Sequence, residues 1–384
     1  MKIVHTGDWH IGKTIRGKHR DQEYCDILDE LKTFLVEKNV DVLLVAGDIF
    51  DLHTPPAAAE NIVYNFFYDI SKLGIKALVI AGNHDSKLRF KAISKLMALA
   101  GIIVRGYNHR DNYENIVSIT SKKGEKAEFA LLPFIFEHNF VRTENLIDNK
   151  ESATNLYSKG VGEVLADYCK KFDSDSLKIV VGHVLLHGAS PGGSERRLYL
   201  GDNYALHPGT IPENIDYMAA GHIHLCQKIP AHIPIYYCGS LLQLDFGELN
   251  AKKGFFFIDT SQNYGLEPQF IEITRGKELK EIRGNLEELR KLAQEDLALQ
   301  DKYLRIVVRA DTSTVGVSYQ VKKIFPNAVD IRREYPQTTK EELKVFKGVE
   351  WFPQLYKEFY KKQYSRDIPK NLLTEFKHLC DQFS

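Results

Sequence analysis

Asp8 and His10, Asp48, Asn83 and His84, His183, and His222 with His224 share one placement, since each follows a short apolar run and most stand beside a glycine. Asp, Asn and His supply oxygen and imidazole donors without thiolate. That mixture suits manganese, iron, zinc or magnesium, with Mn²⁺ favoured where carboxylate and water positions remain. Seven of these residues, His84 set aside, make two four-donor sites if one carboxylate bridges, and Asp48 is the expected bridge. Two cations about 3.5 to 4 Å apart clamp a phosphodiester, generate hydroxide from water and stabilise the leaving oxygen. The expected chemistry is phosphoester hydrolysis. His84 lies in the turn Ala81-Gly82-Asn83-His84-Asp85 and offers a nitrogen that binds or carries a proton.

The elements that must present these residues are legible as punctuated apolar runs. Strands are expected at 2–6, 42–46, 77–80, 178–181 and 217–220, each running into one of the polar turns. Asp8 and His10 lie two apart, which in an extended segment turns both side chains to the same side. Helical spacing marks 26–37 and the run from Thr54-Pro55-Pro56 to Leu73. Asp85 or Ser86 can cap a further helix whose apolar positions Phe90, Ile93, Leu96, Met97 and Ala100 fall on one face. The first half therefore repeats strand, loop, helix, and the expected class is α/β.

A length of 384 residues is too great for one average domain, and two or three units are expected. Strand-like 255–258 and 269–273 close the first, with a boundary near 275. Helix 286–299, strand 303–309, helix 317–325 and strand 329–333 then make a small α/β module assigned to 276–340. Residues 341–384 carry two apolar helical stripes, Phe352, Leu355, Tyr356, Phe359 and Tyr360, then Leu372, Phe376, Leu379 and Phe383, around Asp367-Ile368-Pro369. Such stripes pack on each other or dock a partner helix. No apolar run reaches membrane-spanning length and no signal-peptide pattern opens the chain. Five scattered cysteines suit free thiols in a reducing cytoplasm. Lys plus Arg and Asp plus Glu both number 51, so any nucleic-acid contact must be local. Lys13, Arg16, Lys18, His19 and Arg20, just past the Asp8-His10 turn, are the candidates for holding flanking phosphates, with Arg196 and Arg197 weaker ones.

Gly7-Asp8-Trp9-His10-Ile11-Gly12-Lys13-Thr14 also satisfies the phosphate-loop pattern of ATPases. Such a loop wraps its backbone around phosphate and runs into a helix, whereas Trp9 and His10 are bulky and Gly17 follows closely. An ATPase would also leave Asn83 and the later histidines without a role.

Together these residues resemble the calcineurin-like metallophosphoesterases, and more closely the nuclease subunits of bacterial complexes that work with a coiled-coil ATPase. The resemblance is carried by His5-Thr6-Gly7-Asp8-Trp9-His10, Ala46 to Asp51 with Pro55-Pro56, Ala81 to Ser86, Ser194-Glu195-Arg196-Arg197, and Gly239-Ser240-Leu241 to Gly247-Glu248. It implies a two-sheet sandwich flanked by helices, a dinuclear Mn²⁺ centre and cleavage of DNA ends and hairpins. It also implies a cytoplasmic, nucleoid-associated homodimer within a heterotetramer completed by the ATPase. Carried over, Asp8, His10, Asp48 and His224 resemble the ligands of one metal. Asp48, Asn83, His183 and His222 resemble those of the other, and His84 resembles the family's catalytic histidine. The 276–340 module resembles a capping domain, and Leu355, Phe359, Leu372, Phe376 and Leu379 resemble a surface for the ATPase's coiled coil. Gly7 departs from the usual Ser or Ala, and Leu242 from a frequent Pro, without removing a ligand. A general phosphoesterase for small esters and a non-catalytic DNA-end scaffold are the competing expectations.

Overall fold

The computed structural model describes residues 1–108, 114–136, 139–140, 153–195, 205–261, 266–309, 316–334, 352–364 and 366–382. In chain order, β1 (Lys2–Thr6), α1 (Asp21–Glu37), β2 (Val42–Val45), α2 (Ala57–Lys72), β3 (Lys76–Ile80), α3 (Lys87–Leu99) and β4 (Ile102–Arg105) wind a parallel sheet. β5 (Ile116–Thr120), β6 (Lys126–Leu132), α4 (Ala153–Cys169) and β7 (Leu177–His183) begin a second sheet. After the short pair β8 (Leu185–Leu186) and β9 (Ala205–Leu206), β10 (Tyr217–Gly221), β11 (Gln227–Ile229) and β12 (Ile235–Tyr237) complete it. β13 (Gly254–Asp259) and β14 (Gln269–Glu272) return to the first sheet, β13 lying antiparallel to β1. The result is two six-stranded sheets, ordered β14-β13-β1-β2-β3-β4 and β11-β12-β10-β7-β6-β5.

Alternation along the strands explains why the two sheets stack. Ile3, Leu44, Leu78, Ile80, Ile179 and Val181 point into the layer between the sheets. Val4, Leu43, Val45, Ala77 and Val79 point the other way, into a core shared with α1 and α2. A strand buried on both faces must read as a nearly continuous apolar run, as 42–46 does. The outer face of the second sheet is covered by α4 through Tyr157, Val161, Leu165 and Tyr168.

One helix departs from its pattern. Ser86 caps α3 by accepting the Arg89 N–H, yet only Phe90 of that helix is buried. Leu96 and Leu99, on or beside the face expected to be covered, are 70% and 86% exposed, as is Leu88 at 73%. Amphipathic spacing says that a face is apolar and leaves open what covers it.

β15 (Leu279–Gly284), α5 (Leu286–Glu295), β16 (Tyr303–Arg309), α6 (Val317–Ile324) and β17 (Ala328–Glu334) form the accessory module, a three-stranded parallel sheet with its own core of Leu289, Leu304, Ile306, Val317 and Val321. Asn285 and Glu288 make a reciprocal capping box at the start of α5. Two compact units are present, Met1–Glu334 and Tyr335–Ser384. In the second, α7 (Phe352–Tyr364) and α8 (Lys370–Gln382) meet where Tyr356 stacks on Phe376 at 4.2 Å between ring centroids. Leu355, Phe359, Leu372 and Leu379 stay exposed. Arg196, Arg197, Phe383 and residues 335–351 lie outside the described residues. No helix among the described residues is long and apolar enough to cross a membrane.

Candidate metal centre

The polar turns all leave the C-terminal ends of parallel strands. Asp8 and His10 follow β1, Asp48 follows β2, Asn83 and His84 follow β3, His183 ends β7, and His222 and His224 follow β10. Because β1, β2 and β3 lie in one sheet and β7 and β10 in the other, these ends meet at one rim of the sandwich. Asp8, His10, Asp48, Asn83, His84, His183, His222 and His224 are all buried there.

Local backbone geometry differs from the extended segment that the spacing of Asp8 and His10 implied. Both residues have φ of 50°, Asp48 has 49° and His222 has 108°. Non-glycine residues hold such conformations only where the surroundings over-determine them, and here the backbone does so. Asp8 N–H donates to Gly47 O, and His10 N–H to Asp48 O, each at 2.9 Å, so the two ligand loops run side by side. Between them Trp9 turns into the core, packing on Phe66 and Phe67 and donating to Thr6 Oγ1 at 3.0 Å. Thus Asp8 and His10 face the rim because Trp9 anchors the loop, and no strand pleat is needed. Gly82 is required by contact: a Cβ there would sit 2.1 Å from Asp48 Oδ1.

Whether these residues fit cations is answered by facing lone pairs. His183 Nδ1 lies 2.7 Å from Ala46 O, so a neutral ring carries its proton there. Its Nε2 then points a lone pair at Asn83 Oδ1, 2.9 Å away, and His222 Nδ1 lies 2.8 Å from the same oxygen. Likewise His224 Nδ1 lies 3.1 Å from Glu248 Oε1, and its Nε2 is 3.1 Å from His10 Nε2. With the His183 proton on the Ala46 side, His183 Nε2 and Asn83 Oδ1 are two acceptors face to face, which need a proton or a cation between them. His10 Nδ1 is buried and makes no hydrogen bond among the described residues, the Asp51 carboxylate standing 3.5 Å away. Ligand atoms of Asp8, His10 and His224 lie within 4.8 Å of one another, as do those of Asp8, Asp48 and His183, and of His10, Asp48 and His84. The donor set fits divalent cations.

Electrostatics agree. Burial raises Asp8 to about 7, with Asp48 adding to the rise and His183 opposing it. Burial pulls His183 down, but Asp48 outweighs it and lifts the ring to about 9. Burial also acts against ionisation of Asp48, yet His183, His84 and His10 hold it well below the usual carboxylate range. The crowded acids are thus balanced by a proton on imidazole, the role a cation takes when it binds.

Supporting residues emerge that sequence reasoning did not single out. Glu248 accepts from His224 Nδ1, and burial against its ionisation is outweighed by His224 and Lys253, the latter 2.7 Å from Oε2. A carboxylate behind a metal-binding imidazole fixes its tautomer and orientation. Glu195 accepts the N–H groups of Gly192, Gly193 and His224. The Asp51 carbonyl lies 2.8 Å from His84 Nδ1, while its carboxylate lies 3.5 Å from His10 Nδ1 and 3.1 Å from Lys13 Nζ. Asp85, fully buried, accepts the N–H groups of Gly82, Ile49 and Phe50 and so clasps the Asp48 and Asn83 loops together. Phe134 packs against the rings of His183 and His222. Glu195 and Glu248 stood inside glycine-flanked motifs, and Asp51 three residues past Asp48, which was the available signal.

The basic loop does not behave as one surface. Lys18 and His19 are exposed, but Lys13 is paired with Asp51. Arg16 reaches Asp245 at 3.3 Å and Asp330 at 3.4 Å. Arg20 is 1% exposed, its guanidinium held by Glu23 and the Gln243 carbonyl, so it offers nothing to a phosphate. The phosphate-loop look-alike is explained too: no helix follows it until α1, and its lysine is on Asp51.

Comparison with known proteins accords with this geometry. The profile of the type 5 capsule protein repressor C-terminal domain matches residues 275–351. The chain is 28% identical over 374 residues to the SbcD subunit of the nuclease SbcCD of Bacillus subtilis (strain 168), covering 96% of this chain and 95% of that protein. It is 29% identical over 330 residues to the SbcD subunit of Escherichia coli (strain K12), covering 80% of each. The profile of the calcineurin-like phosphoesterases matches residues 1–226. With that match over more than half its length, the chain belongs to the calcineurin-like phosphoesterase family, whose members are hydrolases that use two divalent metal ions.

Proposed function

We propose that this chain is the nuclease subunit of an SbcCD-type complex and that its phosphoester is the DNA backbone. Its actions are exonucleolytic on duplex ends and endonucleolytic on single strands and hairpins, in DNA end processing and repair. The observation that carries this reading is that the likeness to nuclease subunits runs through the ligand turns and on through the accessory module. A phosphatase for small esters would leave that module idle.

In this reading Asp8, His10, Asp48 and His224 hold one cation, and Asp48, Asn83, His183 and His222 the other, Mn²⁺ being preferred. Such ions supply Lewis-acid stabilisation to a phosphoryl group. His84 Nδ1 lies 2.8 Å from the Asp51 carbonyl and its backbone N–H donates to Asp48 Oδ1 at 2.8 Å, so its ring is fixed beside the ligands. It serves as the acid that protonates the leaving oxygen. Lys18 and His19, exposed past the Asp8-His10 turn, are the residues of the basic loop left to meet flanking phosphates. ATP dependence is borrowed from an SbcC-type ATPase, whose coiled coil covers Leu355, Phe359, Leu372 and Leu379. The homodimer implied by the resemblance is part of this reading.

The test offers purified protein with Mn²⁺ a linear duplex, a DNA hairpin and a small chromogenic phosphodiester, with and without the ATPase. Cleavage of both DNAs, with duplex cleavage stimulated by ATP and the partner, is expected. Turnover of the chromogenic ester with neither DNA cut would assign a small-ester phosphoesterase instead.

A further inference from the structure

We infer that the accessory module positions one half of the metal centre: through Arg16 and the 243–249 loop it orients His10 and His224, while Asn83, His183 and His222 are held independently of it. This rests on the dinuclear reading above. The seam between module and sandwich is built from the loop that follows His10 and from the 243–249 loop, whose Glu248 contacts His224. Ile15, five residues past His10, and Phe246, two before Glu248, are buried in one cluster with Leu279 of β15, and Tyr303 and Val329 pack on it.

Polar contacts extend from that cluster in both directions. Arg305 of β16 is 8% exposed, lies 4.2 Å over the Phe246 ring and donates to Asp330 at 2.8 Å. Arg16 joins the same Asp330 to Asp245, so the loop past His10 and the loop before Glu248 are tied to the module by one pair of carboxylates. Leu279 N–H donates to Gln243 Oε1 at 2.7 Å, and Gln243 Nε2 donates to the carbonyls of Glu248 and Leu249. Glu248 then accepts from His224. On the other branch, Tyr303 OH and Arg20 both donate to Glu23 in α1, and Tyr24 OH donates to the His10 carbonyl at 2.8 Å. Each route from module to ligand is a few packed or hydrogen-bonded contacts long.

The other ligands are held differently. His183 is fixed by Ala46 O; His222, whose backbone N–H donates to the Asp8 carboxylate at 3.0 Å, packs on Phe134 and meets Asn83, and Asn83 follows β3. All of these belong to strand ends of the sandwich. Ligand orientation is sensitive to its supports, and loss of one typically costs about 10- to 100-fold in metal affinity. A seam contact, one step further away, should act at the lower end of that range, and on one ion only.

The experiment is calorimetric titration of metal-free full-length protein with MnCl₂, paired with electron paramagnetic resonance of the bound Mn²⁺. The variants are Arg16→Ala and Asp330→Asn, neither of which leaves a cavity in a core. Glu248→Gln marks the class of site that contains His224. Wild type should show two classes of ion. Each seam variant should weaken, by about tenfold, the class that Glu248→Gln weakens, leave the other in place and convert a spin-coupled signal to an uncoupled one at limiting metal. Arg16→Lys should restore part of the loss. Two classes unaltered by the seam variants, or both weakened alike, would overturn this inference alone. Fewer than two ions on wild type would overturn the dinuclear reading and this inference with it.

Discussion

Asp85→Ala isolates the clasp between the two loops that carry Asp48 and Asn83. Asp85 Oδ2 accepts the N–H groups of Gly82 at 2.9 Å and Ile49 at 3.2 Å, and Oδ1 accepts that of Phe50 at 3.0 Å. Alanine leaves all three buried donors without a partner. Each costs about 1 to 3 kcal/mol, or roughly 3 to 9 kcal/mol together, against a total stability for a protein domain of about 5 to 15 kcal/mol. The chain has a cheaper escape, because the loops lie at the rim and can open to let those N–H groups reach water. Asp85→Ala should therefore cost less in global stability than this sum while losing Mn²⁺ affinity, since the opened loops no longer bring Asp48 and Asn83 together. Asparagine keeps one oxygen, and turned to face Gly82 and Ile49 it leaves only Phe50 unsatisfied, so Asp85→Asn should cost about a third as much. Denaturant titration and metal calorimetry on the same samples measure both quantities. An alanine variant with wild-type midpoint and wild-type metal affinity would refute the clasp.

Three further outcomes are expected. His84→Ala should keep both metals and DNA binding but lose cleavage by about 10² to 10⁴, and loss of metal content would instead make His84 a ligand. Leu355→Asp with Leu379→Asp, both on exposed positions of the C-terminal helices, should abolish co-purification with the ATPase while Mn²⁺-dependent cleavage of single strands persists; undiminished complex formation would move docking elsewhere. Glu23 supplies the pH test: burial opposes its ionisation, but Arg20, the Lys277 N–H and Tyr303 hold it below its ordinary 4.5. A depressed carboxylate contributes stability above its unfolded value and loses it as pH falls through the folded one. Between about pH 6 and about pH 3.5 the melting temperature of Glu23→Gln should therefore fall less than that of wild type, and parallel curves would show the pair contributes nothing.

Residue types after strands exposed much of the centre to sequence reasoning, because a strand end in a parallel sheet is where a side chain can leave the core. Asp48, Asn83 and His183 needed no more than that. The geometry was less legible. Asp8 and His10 share a rim because Trp9 is buried between them and the backbone turns left-handed, which period-two logic does not contain. The basic loop was less legible for a related reason: charge in sequence does not say what stands opposite, and Glu23, Asp51, Asp245 and Asp330 stand opposite three of its four lysines and arginines. Glu248 and Asp85 act on segments they meet only after folding, Glu248 on His224 and Asp85 on the loop after Asp48. The α3 face is apolar yet largely exposed, and periodicity does not say what covers an apolar face.

The proposed bridge between the two cations is Asp48. Its carboxylate already lies within 3.6 Å of His10 Nε2 and 3.5 Å of His183 Nε2, one from each ligand group. The direct measurement is Mn²⁺ stoichiometry by calorimetry, with DNA cleavage followed on the same preparations of wild type and Asp48→Asn. Two ions and cleavage in wild type, with both lost in the variant, are predicted; two ions still bound and cleavage near the wild-type rate in Asp48→Asn would show that Asp48 is not the bridge.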